Sequence, residues 1–282
     1  MNKTVLVTGG NGYIANWCIR LLEERGFHVR ATSRTARPGF VCADLTRDEG
    51  WEEAVTGCHY VLHVASPLSG QGDLTAPARD GTLRVLQAAS RAGVERVVMT
   101  SAAAAARIPG QPSDETVWAE PDQYREDPYR LSKTLAERAA WQAIDPKQLT
   151  TILPGAVFGP ALSARPQGSL RVLKQLRWFV PWLGFWVVDV RDLAELHIQA
   201  LLEPRAAGQR FLATGEFLWM KEIAQILGHR PWLLPNWLAR RLPPLRPFRQ
   251  DLGKQHPTSS AKAREWLGFQ PRPARQTILE SL

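Results

Sequence analysis

Short runs of four to six residues, apolar and rich in β-branched side chains, recur along the first half of the chain: Thr4–Thr8, His28–Ser33, Phe40–Ala43, Tyr60–Ala65, Val97–Thr100 and Thr150–Leu153. Runs this short and this continuous predict strands covered on both faces, as in a parallel sheet. Between them, apolar positions fall at helical spacing over Tyr13–Arg25, which Gly26 closes, and over Asp80–Ala92 and Pro128–Ala143. Strands alternating with helices predict an α/β fold built on a doubly wound parallel sheet.

One connection breaks the rhythm. Only the five residues Thr35–Gly39 separate Arg34 from the third run. Parallel neighbours ordinarily need a crossover of about a dozen residues, and five residues at roughly 3.3 Å each return along a strand only if nearly extended. The spacing predicts that the crossover helix between strands 2 and 3 is missing and that an extended loop replaces it. Beyond residue 160 the periodicity weakens and Pro and Trp become frequent, as in a smaller lobe that shapes a substrate site.

Composition narrows the class. A chain of 282 residues, 44% hydrophobic, buries a sizeable core. Its longest apolar stretch, Trp178–Val188, holds Pro181 and Gly184 and is too short for a membrane span. No signal-peptide pattern precedes the first strand. Cys18, Cys42 and Cys58 lack CxxC spacing, and the histidines form no HExxH pair, so a disulfide framework, a zinc site and any other metal are not expected. These features predict a cytoplasmic protein. Charge is balanced over residues 1–150, with 17 Lys/Arg against 18 Asp/Glu, and basic beyond, with 18 against 9. The basic residues are scattered among Pro and Trp without a nucleic-acid-binding signature, so a solvated basic face is expected and no nucleic-acid partner.

The chemistry begins in VTGGNGYIAN (7–16), which places Gly9, Gly12 and Ala15 at G-x-x-G-x-x-A spacing between the first strand and the first helix. Gly9 permits the tight turn, Gly12 lets a pyrophosphate approach the backbone, and Ala15 allows close helix–sheet packing. The helix start at Tyr13 and Ile14 then offers unpaired N–H groups to phosphate. The second strand ends in ATSRTAR (31–37), with no acid to hold a ribose hydroxyl and with Arg34 and Arg37 suited to a 2′-phosphate. NADP(H) is therefore the expected cofactor. Asp44, ending the third strand, either accepts from the adenine amino group or caps a helix, or does both.

In DPYRLSKTLAE (127–137), Asp127 and Pro128 make a favourable helix start, and Tyr129 and Lys133 stand one turn apart on one face. A free tyrosine with pKa near 10 is a poor proton donor or acceptor at neutral pH. A neighbouring ammonium pulls that value down, and the same lysine can hold the nicotinamide ribose.

These motifs, with LPGAVFGP (153–160) and VVDVRDLAELHI (187–198), resemble the extended short-chain dehydrogenase/reductases of the NAD-dependent epimerase/dehydratase superfamily. HVASPL (63–68), GTLRVLQAA (81–89) and SSAKAREWLGFQPRP (259–273) are similar to its dihydroflavonol-4-reductase-like branch. The resemblance implies a Rossmann-type domain over 1–160 plus about 187–210, with 161–186 plus 211–282 as an interleaved C-terminal lobe. It implies NADP(H)-dependent carbonyl reduction through Ser/Thr, Tyr and Lys. It also implies cofactor contacts from Leu45, Ala65, Ser66, Pro154, Ala156 and Val157, and a monomer or homodimer.

The sequence departs from that branch at VVMTSAAAAAR (97–107), where Ala102 stands in the position of the catalytic serine. Ser101 lies one residue early and, by strand alternation, on the opposite face. Three readings stay open: the strand end rotates Ser101 into the site, another donor or water supports Tyr129, or ordinary carbonyl reduction has been given up. In the reductase reading, Ala102, Ala103 and their neighbours form an apolar wall, and Trp178, Trp182 and Trp186 add aromatic surface for a bulky hydrophobic substrate. The alternatives are a redox-neutral isomerase, cyclase or dehydratase, and a dinucleotide sensor without catalysis.

Overall fold

Strand β1 (Thr4–Val7) leads into α1 (Tyr13–Glu24), β2 (His28–Ser33), β3 (Phe40–Cys42), α2 (Trp51–Val55), β4 (Tyr60–His63), α3 (Thr75–Arg91) and β5 (Arg96–Thr100). The chain continues through α4 (Pro128–Ala143), β6 (Leu149–Pro154), β7 (Ala156–Phe158), α5 (Leu170–Leu173), β8 (Phe179–Pro181), β9 (Gly184–Asp189) and α6 (Val190–Leu202). It ends with β10 (Gln209–Ala213), β11 (Phe217–Trp219), α7 (Met220–Ile226), β12 (Trp232–Leu234), α8 (Asn236–Ala239), α9 (Ala261–Leu267) and α10 (Ala274–Leu279). This computed structural model describes residues 3–67, 74–163, 168–173 and 175–281; Leu68 of the HVASPL stretch lies outside the described residues.

The apolar runs are strands buried from both sides. Val5 and Val7 of β1 enter one core cluster and Leu6 the other. In β4, Tyr60 and Leu62 part from Val61 in the same way, and in β5 Val98 parts from Val97 and Met99. Helices α1 and α6 cover the first face; α2, α3 and α4 cover the second. The seven strands run β10-β6-β5-β4-β1-β2-β3, with every neighbouring pair parallel. The order reverses between β1 and β4, the switch point outside whose strand ends ligands bind in such sheets.

Between β2 and β3 the chain makes a tight excursion, closed by an antiparallel bridge between Arg37 and Phe40. It can be short because β3 starts opposite Ala31 rather than at the foot of β2, a retreat of roughly 7 Å from the strand end. The main sheet takes in β10 through Ala213, while β7 leaves it to pair with β9, which pairs in turn with β11. Strands β8 and β12 pair in a separate two-stranded sheet. Among the described residues no helix is long and apolar enough to cross a membrane, and no group of three or more His, Cys, Asp or Glu is placed to hold a metal.

Candidate active site

The turn after β1 is shaped by residues that lack a Cβ. Gly9 takes φ +65°, and a side chain there would bring its Cβ within 3.0 Å of the Ala65 Cβ just past β4. Gly12 donates to Gly9 O at 2.7 Å, and α1 begins at Tyr13 and Ile14 with no side-chain cap. Free N–H groups, a positive dipole end and missing side chains together fit a dinucleotide pyrophosphate. Ala15 is fully buried, as close helix–sheet packing requires.

Thr8 fixes the facing loop. Its Oγ1 accepts from the N–H groups of Val64 (3.1 Å) and Ala65 (3.0 Å), so its own proton goes to His63 Nδ1, 3.0 Å away. His63 Nε2 then donates to Thr82 Oγ1 at 3.2 Å. Burial, reinforced by the Lys133 charge, pushes the His63 pKa down to about 3, so the ring is neutral and these bonds keep one direction. Ser66 follows in the same loop, half-buried. The Tyr13 phenol is engaged elsewhere: it donates to Gly159 O at 2.7 Å and ties α1 to the segment after β7.

Arg34 and Asp44 come together. With Arg47, Asp48 and Arg84 they line a cavity of about 610 Å³ beyond β2. Burial opposes ionisation of Asp44, but hydrogen bonds from Thr46 and the nearby Arg34 and Arg47 outweigh it and hold the carboxyl below its usual range. Asp44 caps a turn, accepting from Thr46 N and Oγ1 at 2.9 Å each; it caps no helix, since α2 starts at Trp51 behind Gly50. Leu45 packs against α3 where Gly81 leaves room, and its carbonyl accepts from Arg84 at 3.0 Å. Arg37 does not join this cavity. Its guanidinium donates to Asn11 Oδ1 and stands 5.0 Å from the centre of the Phe40 ring.

Asp127 caps α4 by accepting from Arg130 N at 3.0 Å, with Pro128 in the first turn. Tyr129 keeps 37% of its surface exposed, while Lys133 is buried and donates to Thr100 O at 3.0 Å, at the C-terminal end of β5. The expected lowering of the tyrosine pKa is not what this arrangement produces. Desolvation, and then the Asp127 carboxylate, raise the Tyr129 pKa, with Arg130 opposing and water at its exposed surface weakening the effect. Burial lowers Lys133 to about 8, against the pull of Glu137. Helical spacing puts the two residues on one face, but the ammonium is bonded to β5.

Ser101 is not brought to the phenol either. Its hydroxyl donates to Glu137 Oε2 at 2.7 Å, and Glu137 also accepts from Thr151 Oγ1 at 2.7 Å and Arg210 Nε at 2.9 Å, all in the buried seam of β5, β6, β10 and α4. Thr100 faces the other way. His197 Nδ1 donates to Leu193 O at 2.8 Å, so Nε2 accepts the Thr100 hydroxyl at 2.7 Å. Burial holds His197 neutral, with its pKa lowered to about 4. Ala102, extended at φ −152° two residues past β5, presents only a methyl group.

The alanine wall is narrower than expected. Ala103–Ala106 form a 3₁₀ turn that rotates Ala105 and Ala106 into a small core with Leu153 and Leu212. Ala102 is buried as well, so Ala103 and Ala104 alone of the five keep partial exposure. The tryptophans divide too. Trp182 meets Trp219 with ring centres 5.7 Å apart, and Phe217 bridges Trp219 and Trp186 at 5.0 and 5.6 Å. Trp178 stands apart on the outer face. Pro154 ends β6 beside Ala213, Gly155 makes room for the Trp186 carbonyl, and Ala156 and Val157 lie half-buried on β7.

Two buried clusters had little or no signal in the sequence. Glu137 continues the Tyr129–Lys133 stripe by one more turn, so an acid on a buried face was visible but its partner was not. Asp251, from the C-terminal lobe, accepts from Arg130 at 2.6 Å and from Arg107, and nothing local announces it.

A model of the NAD dependent epimerase/dehydratase family matches residues 5–177. Cinnamoyl-CoA reductase 1 of Petunia hybrida is 34% identical over 255 residues, covering 80% of this chain and 76% of that protein. Vestitone reductase from alfalfa (Medicago sativa L.) superposes with a TM-score of 0.74 at 25% identity, over 99% of this chain and 96% of that one. Yeast methylglyoxal/isovaleraldehyde reductase Gre2, solved with NADPH, shares the fold, with a TM-score of 0.79 at 24% identity over 99% and 96% of the two chains. The chain therefore belongs to the NAD dependent epimerase/dehydratase family, among the extended short-chain dehydrogenase/reductases of the dihydroflavonol-4-reductase-like branch.

Proposed function

We propose that the protein is an NADPH-dependent reductase of an aldehyde or ketone on a bulky, apolar scaffold, with Tyr129 as proton donor. The observation that carries this reading is the pair Tyr129 and Lys133 on α4, its lysine anchored at the C-terminal end of β5 on the same sheet edge as the glycine turn. The names of its relatives, a cinnamoyl-CoA reductase and a vestitone reductase, support carbonyl reduction on an aromatic framework.

The N–H groups at Tyr13 and Ile14 would hold the pyrophosphate, Arg34 the 2′-phosphate, Asp44 the adenine, and Lys133 the nicotinamide ribose. Ala65, Ser66, Pro154, Ala156 and Val157 would border the rest. Bound there, NADPH supplies the hydride. Tyr129 holds its proton throughout the neutral range. Because its surroundings raise rather than lower its pKa, the charge of bound cofactor and of Lys133 would have to favour release of that proton to the substrate oxygen. Trp182, Trp186 and Ala103 would give the substrate its apolar surroundings.

Arg34→Ala raises the KM for NADPH by about 10- to 100-fold, the worth of a charge-assisted pair to phosphate, and leaves the NADH value nearly unchanged. Parallel titrations with both cofactors check this. The pH dependence follows from Lys133. Its charge is present below about 8 and is lost as pH rises through that value. The logarithm of kcat/KM for reduction therefore turns down above pH about 8 with a slope near −1. A flat profile across that range would remove the lysine charge from the mechanism.

The deciding experiment follows NADPH and NADH consumption over a panel of aromatic and polycyclic aldehydes and ketones, with product analysis. NADPH-dependent formation of alcohols supports the reading. A redox-neutral conversion is favoured by one observation, the commitment of Ser101 to Glu137, which leaves the end of β5 without a polarising hydroxyl. Products isomeric with the substrate, formed with no net NADPH consumption, would establish it instead.

A further inference from the structure

Two stretches of the C-terminal lobe contain no carboxylate. Residues 161–186 carry four Lys/Arg and residues 223–250 carry five, with no Asp or Glu in either. The fold joins them. Strand β12 lies parallel to β8 with Trp232 opposite Phe179, and Trp232 N donates to Trp178 O at 2.9 Å. Residues opposite one another in a strand pair share a face, so Phe179 and Trp232 stand side by side. They are 60% and 75% exposed, Trp178 is 68% exposed, and Trp237, on α8 just past β12, is 62% exposed. Phe179 and Trp232 make an exposed aromatic pair, and Trp178 and Trp237 are exposed on the segments that flank it in sequence. Large rings left in water in this way mark an interaction surface.

The charges lie with the rings. Arg177 is 5.4 Å from the centre of the Trp178 ring and Arg241 is 5.6 Å from that of Trp237. Arg230 and Arg240 are exposed beside them in sequence. Among the described residues, Arg249 is the one arginine of 223–250 with a carboxylate partner, Glu126 at 3.6 Å.

We propose that this face docks the protein on an anionic lipid bilayer. Tryptophan and phenylalanine settle at the headgroup level while neighbouring arginines meet lipid phosphates, without any segment crossing the membrane. Charge complementarity selects this occupant. A second copy, meeting the first about a two-fold axis, would set these arginines against themselves. A single-stranded nucleic acid needs ring faces free for base stacking, and guanidinium groups already stand over two of the rings. The inference is independent of the reductase reading.

Sedimentation of the full chain with vesicles of phosphatidylcholine, alone or mixed with phosphatidylglycerol, tests it. Binding to the anionic vesicles exceeds that to neutral ones by at least about tenfold and weakens as salt is raised. Arg240→Gln combined with Arg241→Gln lowers the partition coefficient about tenfold. Trp232→Ser combined with Trp237→Ser lowers it about tenfold or more. Both double variants keep the thermal transition of the parent, and the arginine pair tests the idea even if the tryptophan pair folds poorly. Equal partition into both kinds of vesicle, or no partition, overturns the proposal. So does a concentration-dependent dimer, or binding of a single-stranded oligonucleotide, that the tryptophan double variant abolishes while vesicle binding is unchanged.

Discussion

Replacing Tyr129 by phenylalanine lowers kcat by about 10²- to 10⁴-fold, the usual contribution of a positioned proton donor, and leaves NADPH affinity near its original value. Phenylalanine keeps the ring and its contacts and removes only the hydroxyl, so α4 stays in place. The loss is large because no hydroxyl at the end of β5 is free to substitute. Ser101 is bonded to Glu137, Thr100 to His197, and position 102 offers a methyl group. Steady-state kinetics with the best substrate, paired with a fluorescence titration of NADPH, separates the two parameters. A loss below about tenfold would mean that protonation comes from elsewhere, and the assignment of Tyr129 would fall.

Replacing Glu137 by leucine destabilises the fold by about 3–5 kcal/mol, as expected when one partner of a buried ion pair is removed. Arg210, itself buried, then keeps a charge without a counterion, and the hydroxyls of Ser101 and Thr151 lose their acceptor. Adding Arg210→Met removes the orphaned charge, so the double variant is more stable than the sum of the two single losses implies. It does not return to the parent value, because Arg210 also donates to the carbonyls of Ala105, Glu115 and Val117. Urea unfolding of the four proteins gives the coupling. If the two losses simply add, the pair is not acting as a unit.

The sheet could be read from the sequence because strands buried on both faces must be short, apolar and β-branched, and little else in a chain looks like that. The cradle was legible for a similar reason: only residues lacking a Cβ, or nearly so, fit at Gly9, Gly12 and Ala15. What could not be read was where polar side chains end. Strand alternation gives the face of Ser101 but not its acceptor, Glu137, which lies on another element. Helical spacing brings Tyr129 and Lys133 onto one face, yet the sign of the tyrosine shift depends on Asp127 and on the crowding around the phenol, and neither is a matter of spacing. Tyr13 has its partner at Gly159, and Trp178, whose carbonyl accepts from Trp232 N, stays exposed. The partners of Ser101 and Tyr13 lie far away along the chain, whereas Asp127 lies two residues from Tyr129 and acts through its position in space.

The meeting of Asp251 with Arg107 and Arg130 bears on how the molecule moves. Arg130 sits on α4 next to Tyr129, while Asp251 comes from a segment more than a hundred residues further along the chain, and all three side chains are largely shielded from water. Moving Asp251 away from α4 would break both ion pairs at once, at a cost set by how far incoming water makes up for the lost pairing. The three side chains thus tie α4, beside Tyr129, to the segment around residue 251. On the proposed reductase reading, a bulky substrate would enter beside Tyr129 through rotation of individual rings and small shifts of loop backbone, on the timescale of side-chain and loop motion rather than of a hinge.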